Sequence, residues 1–281
     1  MSGLLAFHAH PDDEGTSTGG TLHRYVTRGE QVVVVTATDG AEGEIHNYDD
    51  PDAIKPRLAE VRRDEIAAAM SILGVEHHHF LGYRDSGMMG EGSNDHPECF
   101  WRADFMEATA RLIHHIRRYQ PEVMVIYDPF GGYGHPDHIN VHRVGMAAYA
   151  GEPDLSRFPL DEGEVVWQPS KLYWVTWPRS RARQFARVRL EAGLIDQEEH
   201  DRMQYAGTPD EDITCFVDIV DIIDVKEKAL RAHRSQIPED WFMLNVPDEV
   251  KPQVLGRESF VKVFDRTDSI GREEDLFEGL R

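Results

Sequence analysis

The chain has 281 residues, 40% of them apolar, which is enough to bury the core of one large domain. Its 51 acidic and 30 basic residues give a formal net charge of −21, which argues against a nucleic-acid partner and against an anionic membrane surface. Two cysteines make no disulfide framework, and no apolar run approaches the ~20 residues of a membrane span, so we expect a cytoplasmic protein.

Predicted strands and helices alternate through the first 150 residues. The segment QVVVVTAT (31–38) is β-branched and nearly all apolar, as in a strand covered on both faces. The other predicted strands are 3–9, 77–83 and 122–128, and the predicted helices are 21–29, 57–73, 103–119 and 138–150. This alternation indicates right-handed βαβ units. The predicted fold class is therefore α/β, with a Rossmann-like, doubly wound and mostly parallel sheet that carries helices on both faces.

The pattern is less regular after residue 150. Strands are predicted at 171–177 and 213–219, and helices at 179–192 and 222–236. No segment has the length or composition of a linker, so we predict one domain over 1–281. Residues 1–150 would form the core that carries the site, and residues 151–281 would form an α/β extension that lines one side of the cleft.

Two polar motifs follow the strands that such a sheet places side by side. HPDDE (10–14) follows the first strand, and HPDH (135–138) lies in the loop after the fourth. In a sheet of order 3-2-1-4-5 these two strands are neighbours, and ligands bind beyond their carboxyl ends. One HPD triplet alone is often only a turn that caps a helix. Two triplets at adjoining strand ends predict a functional site.

Histidine nitrogens and carboxylate oxygens are a usual ligand set for zinc, and catalytic zinc sites keep three protein ligands plus water. Two ligands from the first loop and one from the second would suffice, and the remaining acid would be a general base for the water. The pattern leaves open which of Asp12 and Asp13 binds the metal. His8 stays open as a ligand and His142 as a supporting group. A dinucleotide site is disfavoured, because the turn after the first strand lacks GxGxxG.

AHPDDE (9–14) together with GGYGHPDH (131–138) resembles the LmbE-like or PIG-L deacetylase family. That resemblance implies a zinc-dependent hydrolase that removes acyl groups from N-acylglucosamine compounds. Within the family, the chain is similar to the group of N-acetylglucosaminyl-inositol deacetylases and mycothiol S-conjugate amidases. Further matching segments are TATDGAEGEI, EVRRDEIAAAMSILGV, RDSGM (84–88), KLYW (171–174) and KALRAHRSQI (228–237).

The resemblance implies roles for individual residues. His10, Asp13 and His138 would be the zinc ligands, and Asp12 the general base. The groups expected beside the reacting carbonyl are Tyr133, which would help to hold the oxyanion, and His135, an electrostatic stabiliser or acid. Asp137 would orient His135 from behind.

Three further residues resemble substrate contacts of the family: Arg62, Asp85 and Glu44. Each also has an ordinary interpretation, namely a helix-surface salt bridge for Arg62, a turn cap for Asp85 and a solvated loop acid for Glu44. His8 becomes an expected bystander, and no role is implied for Glu14.

We therefore predict removal of an N-acetyl group from an N-acetylglucosamine-containing small molecule, by attack of metal-bound water with Asp12 as the base. An amidase acting on mycothiol-type thiol S-conjugates is the alternative. Ser17 favours the deacetylase, because the amidases carry lysine at that position. The resemblance implies Zn²⁺, although Fe²⁺ uses similar ligands. The expected partner is a small amino-sugar substrate, and the sequence leaves a homo-oligomer open.

Overall fold

Seven strands form a single sheet in the computed structural model, which describes residues 3–191, 193–241, 243–267 and 269–281. In chain order, β1 to β7 are Gly3–His8, Gln31–Thr38, His77–Tyr83, Val123–Tyr127, Lys171–Thr176, Cys215–Asp218 and Arg257–Asp265. Their order across the sheet is β3-β2-β1-β4-β5-β7-β6. The first five strands are parallel, and β7 runs antiparallel to both β5 and β6. The predicted order 3-2-1-4-5 is confirmed.

Ten α-helices lie within the described residues. In chain order, α1 to α10 are Asp13–Ser17, Gly19–Thr27, Pro51–Ile54, Leu58–Leu73, Phe105–Tyr119, Pro136–Gly151, Arg179–Glu191, Gln197–Met203, Ile223–Ala232 and Lys251–Leu255. Helices α2, α4 and α9 pack together, and α5 packs on α6. These two groups cover the faces of the sheet, which confirms the α/β fold class. None of these helices is long and apolar enough to cross a membrane.

The apolar sequences of β1 and β2 match their positions inside the sheet. Every residue of β1 is buried, as is every residue of β2 after Gln31. Helix α4 ends where the sequence predicts, because Gly74 takes a left-handed conformation with φ of 76°. The fold therefore brings the carboxyl ends of β1, β2, β3 and β4 to one edge of the sheet.

Strand β7 was not expected from the sequence. Charged residues interrupt its apolar positions, so the segment Arg257–Asp265 shows no clean alternation. The buried carboxylate of Glu258 is matched by Lys226 and by the backbone N–H groups of Gly20 and Thr21, the latter at 2.7 Å. This pairing explains how an acidic residue is accommodated in an inner strand.

Candidate metal centre and cleft

The loops after β1 and β4 meet because these strands are parallel neighbours, with Leu4 opposite Val123. The β1 loop carries His10 and leads into α1, while the β4 loop leads into α6, whose first turn carries His138. His10 Nδ1 and His138 Nε2 lie 3.3 Å apart. The two motifs separated along the chain thus form one site.

Asp13 completes a triangle of donor atoms with these two histidines. Its Oδ2 lies 3.6 Å from His10 Nδ1, and its Oδ1 lies 3.5 Å from His138 Nε2. With zinc bonds of about 2.0–2.1 Å, the donors of a tetrahedral site are separated by about 3.3–3.4 Å. The observed separations agree with that value, and all three residues are buried. The donor set therefore fits a divalent metal ion of zinc size.

Protonation favours metal binding at His138. Burial lowers the pKa of His138 to about 4, so its ring is neutral near pH 7 and keeps a lone pair for a metal. Burial would also lower the pKa of His10, but the nearby carboxylates of Asp85, Asp13 and Asp137 outweigh it and raise that pKa well above its usual value. The surroundings of His10 therefore attract positive charge.

The second ring nitrogen of His10 faces two buried carboxylates. His10 Nε2 lies 3.2 Å from Asp137 Oδ2 and 3.5 Å from Asp85 Oδ1. Asp137 also accepts hydrogen bonds from the backbone N–H of Ser86, at 2.9 Å, and from its hydroxyl. A carboxylate that contacts the outer nitrogen of a ligating histidine fixes the orientation of the ring.

Asp137 therefore differs from its expected role. Its carboxylate contacts His10, whereas its contact with His135 is a backbone N–H that donates to His135 Nδ1 at 3.1 Å. Asp85, expected to contact sugar, accepts from the N–H of Gly87 at 2.9 Å and of Glu42 at 3.1 Å, besides facing His10. Asp85 lines the cleft, but most of its acceptor capacity is used within the protein.

His135 caps the N-terminus of α6 and lines the cleft. Burial, together with the neighbouring His10 and His138, lowers the pKa of His135 to about 3, so the ring is neutral near pH 7. Because Nδ1 accepts from the Asp137 N–H, the ring proton is on Nε2. His135 is thus a neutral hydrogen-bond donor, which suits an oxyanion better than it suits proton transfer.

Tyr133 lies in the glycine-rich turn before α6 and is 56% exposed. Its hydroxyl is 3.4 Å from His138 Nε2. The turn depends on glycine, because Gly131 has φ of 64° and a Cβ there would be 2.5 Å from the His138 Cβ. The Tyr133 hydroxyl therefore lies beside the triangle of donor atoms while the side chain remains open to the cleft.

Asp12 adjoins the three donor residues without belonging to their triangle. Its side chain is 21% exposed and lies 3.1 Å from Arg62 Nη2. Burial raises the pKa of Asp12 to about 6, although the Arg62 guanidinium opposes that rise. A carboxylate whose pKa is near the operating pH can accept and return a proton.

Arg62, expected as a substrate contact, lies in the wall of the cleft beside Asp12. Its guanidinium is buried and donates to the carbonyls of Gly40, at 2.7 Å, and of Pro11, besides facing Asp12. The side chain spans the loops after β1 and β2. It forms part of the cleft wall chiefly by supporting the loop that carries Asp12.

A polar cleft of about 400 Å³ opens beside these residues. Glu44 lies at its rim, where its side chain is 88% exposed. The Oε2 atom of Glu44 lies 3.5 Å from His46 Nε2. Other residues in its wall, not predicted from sequence, are Thr16, Glu42, Glu91 and Gln236. Carboxylates and amides around an open cleft can bind the hydroxyl groups of a sugar.

A second, more apolar chamber of about 290 Å³ lies on the other side of Tyr133. It shares Asp13, Thr16 and Tyr133 with the polar cleft and also includes His138. Ser17 lines this chamber, together with residues of the C-terminal half such as Trp177, Phe185 and Met203. The triangle of donor atoms therefore adjoins both a polar and an apolar space.

Tyr127 and His8 form a support behind the triangle of donor atoms that the sequence did not predict. The Tyr127 ring stacks on the ring of His138, with centroids 4.4 Å apart. Its hydroxyl lies 3.0 Å from His8 Nδ1, and the other nitrogen of His8 lies 2.9 Å from Thr18 Oγ1. His8 is thus engaged away from the donor triangle. The position of Tyr127 at the end of β4, directly before the motif loop, was the available signal.

His142, which the sequence leaves open as a supporting group, lies 3.0 Å from the Tyr127 backbone carbonyl through Nδ1. The buried pair of Glu14 and His233 also was not foreseen. Glu14 Oε1 is 2.6 Å from His233 Nε2. His233 lies within the segment KALRAHRSQI, whose resemblance to the family was the available signal.

A family model described as "PIG-L: GlcNAc-PI de-N-acetylase" matches residues 5–149. A 1D-myo-inositol 2-acetamido-2-deoxy-alpha-D-glucopyranoside deacetylase of Catenulispora acidiphila is 39% identical over 293 residues, which is 99% of this chain and 89% of the relative. A relative of the same description from Streptomyces avermitilis is 41% identical over 301 residues, covering 99% of this chain and 97% of the relative.

Among solved structures, the N,N'-diacetylchitobiose deacetylase of Pyrococcus horikoshii, complexed with an inhibitor, matches with a TM-score of 0.65 and 24% identity. That match covers 93% of this chain and 84% of the other. At this identity the likeness concerns the fold.

Proposed function

The chain belongs to the PIG-L family of GlcNAc-PI de-N-acetylases, and we propose that it hydrolyses the acetamide of an N-acetylglucosamine-containing small molecule in a metal-dependent reaction. The observation that carries this proposal is the triangle of His10, Asp13 and His138 with Asp12 beside it. Donor separations of 3.3–3.6 Å and an adjacent carboxylate are what a hydrolytic metal site requires.

Zinc is the ion that we propose for the site, held by His10, Asp13 and His138. Two imidazoles and one carboxylate are a common zinc set, and iron(II) accepts the same donors. When bound, such an ion lowers the pKa of water and polarises a carbonyl oxygen. Asp137 supports binding by holding the His10 ring through Nε2.

Asp12 is the proposed general base. It takes a proton from the water whose oxygen attacks the acetyl carbon, and it later delivers a proton to the departing nitrogen as the C–N bond breaks. The products are acetic acid, which ionises to acetate in solution, and a free amine, so atoms and charges balance. A pKa of about 6 in the protein suits this exchange.

Tyr133 and His135 are the proposed donors to the oxygen that becomes negative in the transition state. His135 is neutral and carries its proton on Nε2, while the Tyr133 hydroxyl lies beside His138. Neither group needs to lose a proton to act. Donors held in position before the reaction stabilise such an oxygen without reorganisation.

The polar cleft is the proposed binding site of the sugar, with Glu44, Glu42 and Gln236 in its wall. The relatives' descriptions make N-acetylglucosaminyl-inositol the first substrate to test. A second candidate function, cleavage of a larger amide such as a cysteinyl thiol conjugate, is favoured by one observation. The apolar chamber beside Tyr133 has room for more than an acetyl group.

Comparing kcat/KM for acetate release from N-acetylglucosaminyl-inositol with that for cleavage of a cysteinyl S-conjugate tests the proposal. We expect acetate release to dominate and to disappear with a chelator. Release of acetate that persists unchanged after complete metal removal would contradict the metal-dependent reaction. Faster cleavage of the conjugate would establish the second candidate instead.

A further inference from the structure

Asp12 has an unusual backbone conformation, with φ of 121° and ψ of −25°. Residues with a Cβ rarely adopt positive φ, and conformations of this kind persist only where the surroundings enforce them. The same residue carries the proposed base. What holds its backbone therefore also determines where its carboxylate lies.

The peptide unit between Pro11 and Asp12 is held at both of its polar groups. Its carbonyl, on Pro11, accepts a hydrogen bond from Arg62 Nη2. Its N–H, on Asp12, donates to Glu14 Oε2 at 3.0 Å. Because φ is the rotation about the N–Cα bond of Asp12, it is fixed once the next peptide is held as well, and the Asp12 carbonyl accepts a hydrogen bond from the Thr16 N–H at 3.1 Å. A rotation that relieved the strain would break both hydrogen bonds.

Glu14 is itself held by a residue that lies far from it in the sequence. It is completely buried, and its second carboxylate oxygen lies 2.6 Å from Nε2 of His233, which is also completely buried. The two residues are 219 positions apart in sequence. Removing the histidine would leave a buried carboxylate without its partner, free to rotate away from the Asp12 N–H.

The segment that carries His233 is anchored on α4, the helix that also carries Arg62. Ser235 donates to Glu65 through its N–H, at 2.7 Å, and through its hydroxyl, at 2.6 Å. Both hydrogen bonds to the Pro11–Asp12 peptide therefore depend on the packing of α4 against the segment that carries His233. The hydrogen bonds of Ser235 stabilise this packing but do not involve the Asp12 peptide.

We infer that Glu14 and His233 are positioning residues for Asp12. His233 holds Glu14, and Glu14 accepts a hydrogen bond from the Asp12 N–H, so that the two residues keep the base in its strained conformation. This inference rests on the proposed role of Asp12. It predicts an effect on the chemical step, because neither Glu14 nor His233 belongs to the donor triangle.

The test compares His233→Leu with His233→Gln, whose side-chain amide can still donate to Glu14. For His233→Leu we expect kcat to fall about 10- to 100-fold, as misplacement of a catalytic group does, with KM and metal content unchanged. For His233→Gln we expect most of the activity to return. Ser235→Ala is the matched control, because it removes one hydrogen bond of the same segment, keeps the Ser235 N–H bond to Glu65 and does not touch the Asp12 peptide, so its kcat should be near that of the unmodified protein.

Three outcomes would overturn the positioning role. They are an unchanged kcat in His233→Leu, a fall in kcat that only follows lost metal, and an equal fall in Ser235→Ala. Should His233→Leu fail to fold, Glu14→Gln replaces it, since it keeps the size and one acceptor oxygen. A neutral acceptor holds the Asp12 N–H less strongly, so kcat should fall about 3- to 10-fold, and an unchanged kcat would contradict the inference.

Asp12→Asn, measured in parallel, separates this inference from the proposed function. If Asp12→Asn keeps full turnover, Asp12 is not the base and the proposed mechanism fails. If Asp12→Asn is inactive while His233→Leu and Glu14→Gln are fully active, only the positioning role fails.

Discussion

His10 Nδ1 and His138 Nε2 lie 3.3 Å apart, although 128 positions separate the two residues in the chain. The parallel pairing of β1 with β4 creates this proximity, and Asp13 completes the set of donors. The outer nitrogen of His10 faces Asp137 and Asp85. The donors and their supports can therefore be tested separately.

Removal of a proposed ligand should abolish tight metal binding. For His138→Ala we expect metal affinity to fall by more than roughly 100-fold, since even residues behind the ligands contribute 10- to 100-fold. Metal content after dialysis against buffered zinc measures this. His142→Ala is the control, because His142 contacts the Tyr127 carbonyl rather than a ligand. One tightly bound ion per chain in His138→Ala would refute the ligand assignment.

Asp137→Asn should weaken metal binding without removing it. The amide keeps the size of the side chain but loses the negative charge that holds the His10 ring. We expect about a 10-fold loss of zinc affinity, measured by competition with a chromogenic chelator. If zinc affinity stays unchanged while kcat falls, Asp137 acts on the reaction rather than on His10.

Tyr133→Phe should lower kcat and spare metal binding. The substitution removes one hydroxyl that is proposed to donate to the developing oxyanion, and loss of such a donor typically costs about 10²- to 10³-fold. Steady-state kinetics with acetate detection would measure the effect, with KM changed little. An unaltered kcat would show that His135 or other donors suffice.

Metal binding should stabilise the fold, because the donor triangle joins two loops that are distant in sequence. Zinc at 100 times its dissociation constant should raise the free energy of unfolding by about 2.7 kcal/mol. Thermal unfolding of chelated and zinc-loaded protein would show this as a rise in Tm of several degrees. An equal rise in His138→Ala would instead indicate zinc bound elsewhere.

Much of the core and the meeting of the two motifs followed from the sequence. Continuous apolar strands alternating with helices predict a parallel sheet, and that sheet places the loops after β1 and β4 together. The last inner strand did not follow, because Glu258 and the other charged residues of β7 obscure its apolar pattern. Its match with Lys226 exists only in the folded chain.

Motif positions also did not determine the direction of each side chain. The Asp137 carboxylate contacts His10, whereas only the Asp137 backbone N–H contacts His135, and Arg62 donates to backbone carbonyls. These contacts depend on how α4 and α6 pack against the loops. His233, which directly follows α9, reaches the site in the same manner. The family resemblance of its segment draws attention to His233, but the local sequence does not indicate its contact with Glu14.

Asp12→Asn with metal analysis tests the central claim most directly. The variant keeps the shape of the side chain but cannot accept the proton, while His10, Asp13 and His138 are unchanged. We predict a full complement of bound metal together with a loss of acetate release of at least about 100-fold. A variant that binds metal and still releases acetate at a rate close to that of the unmodified protein would contradict the account.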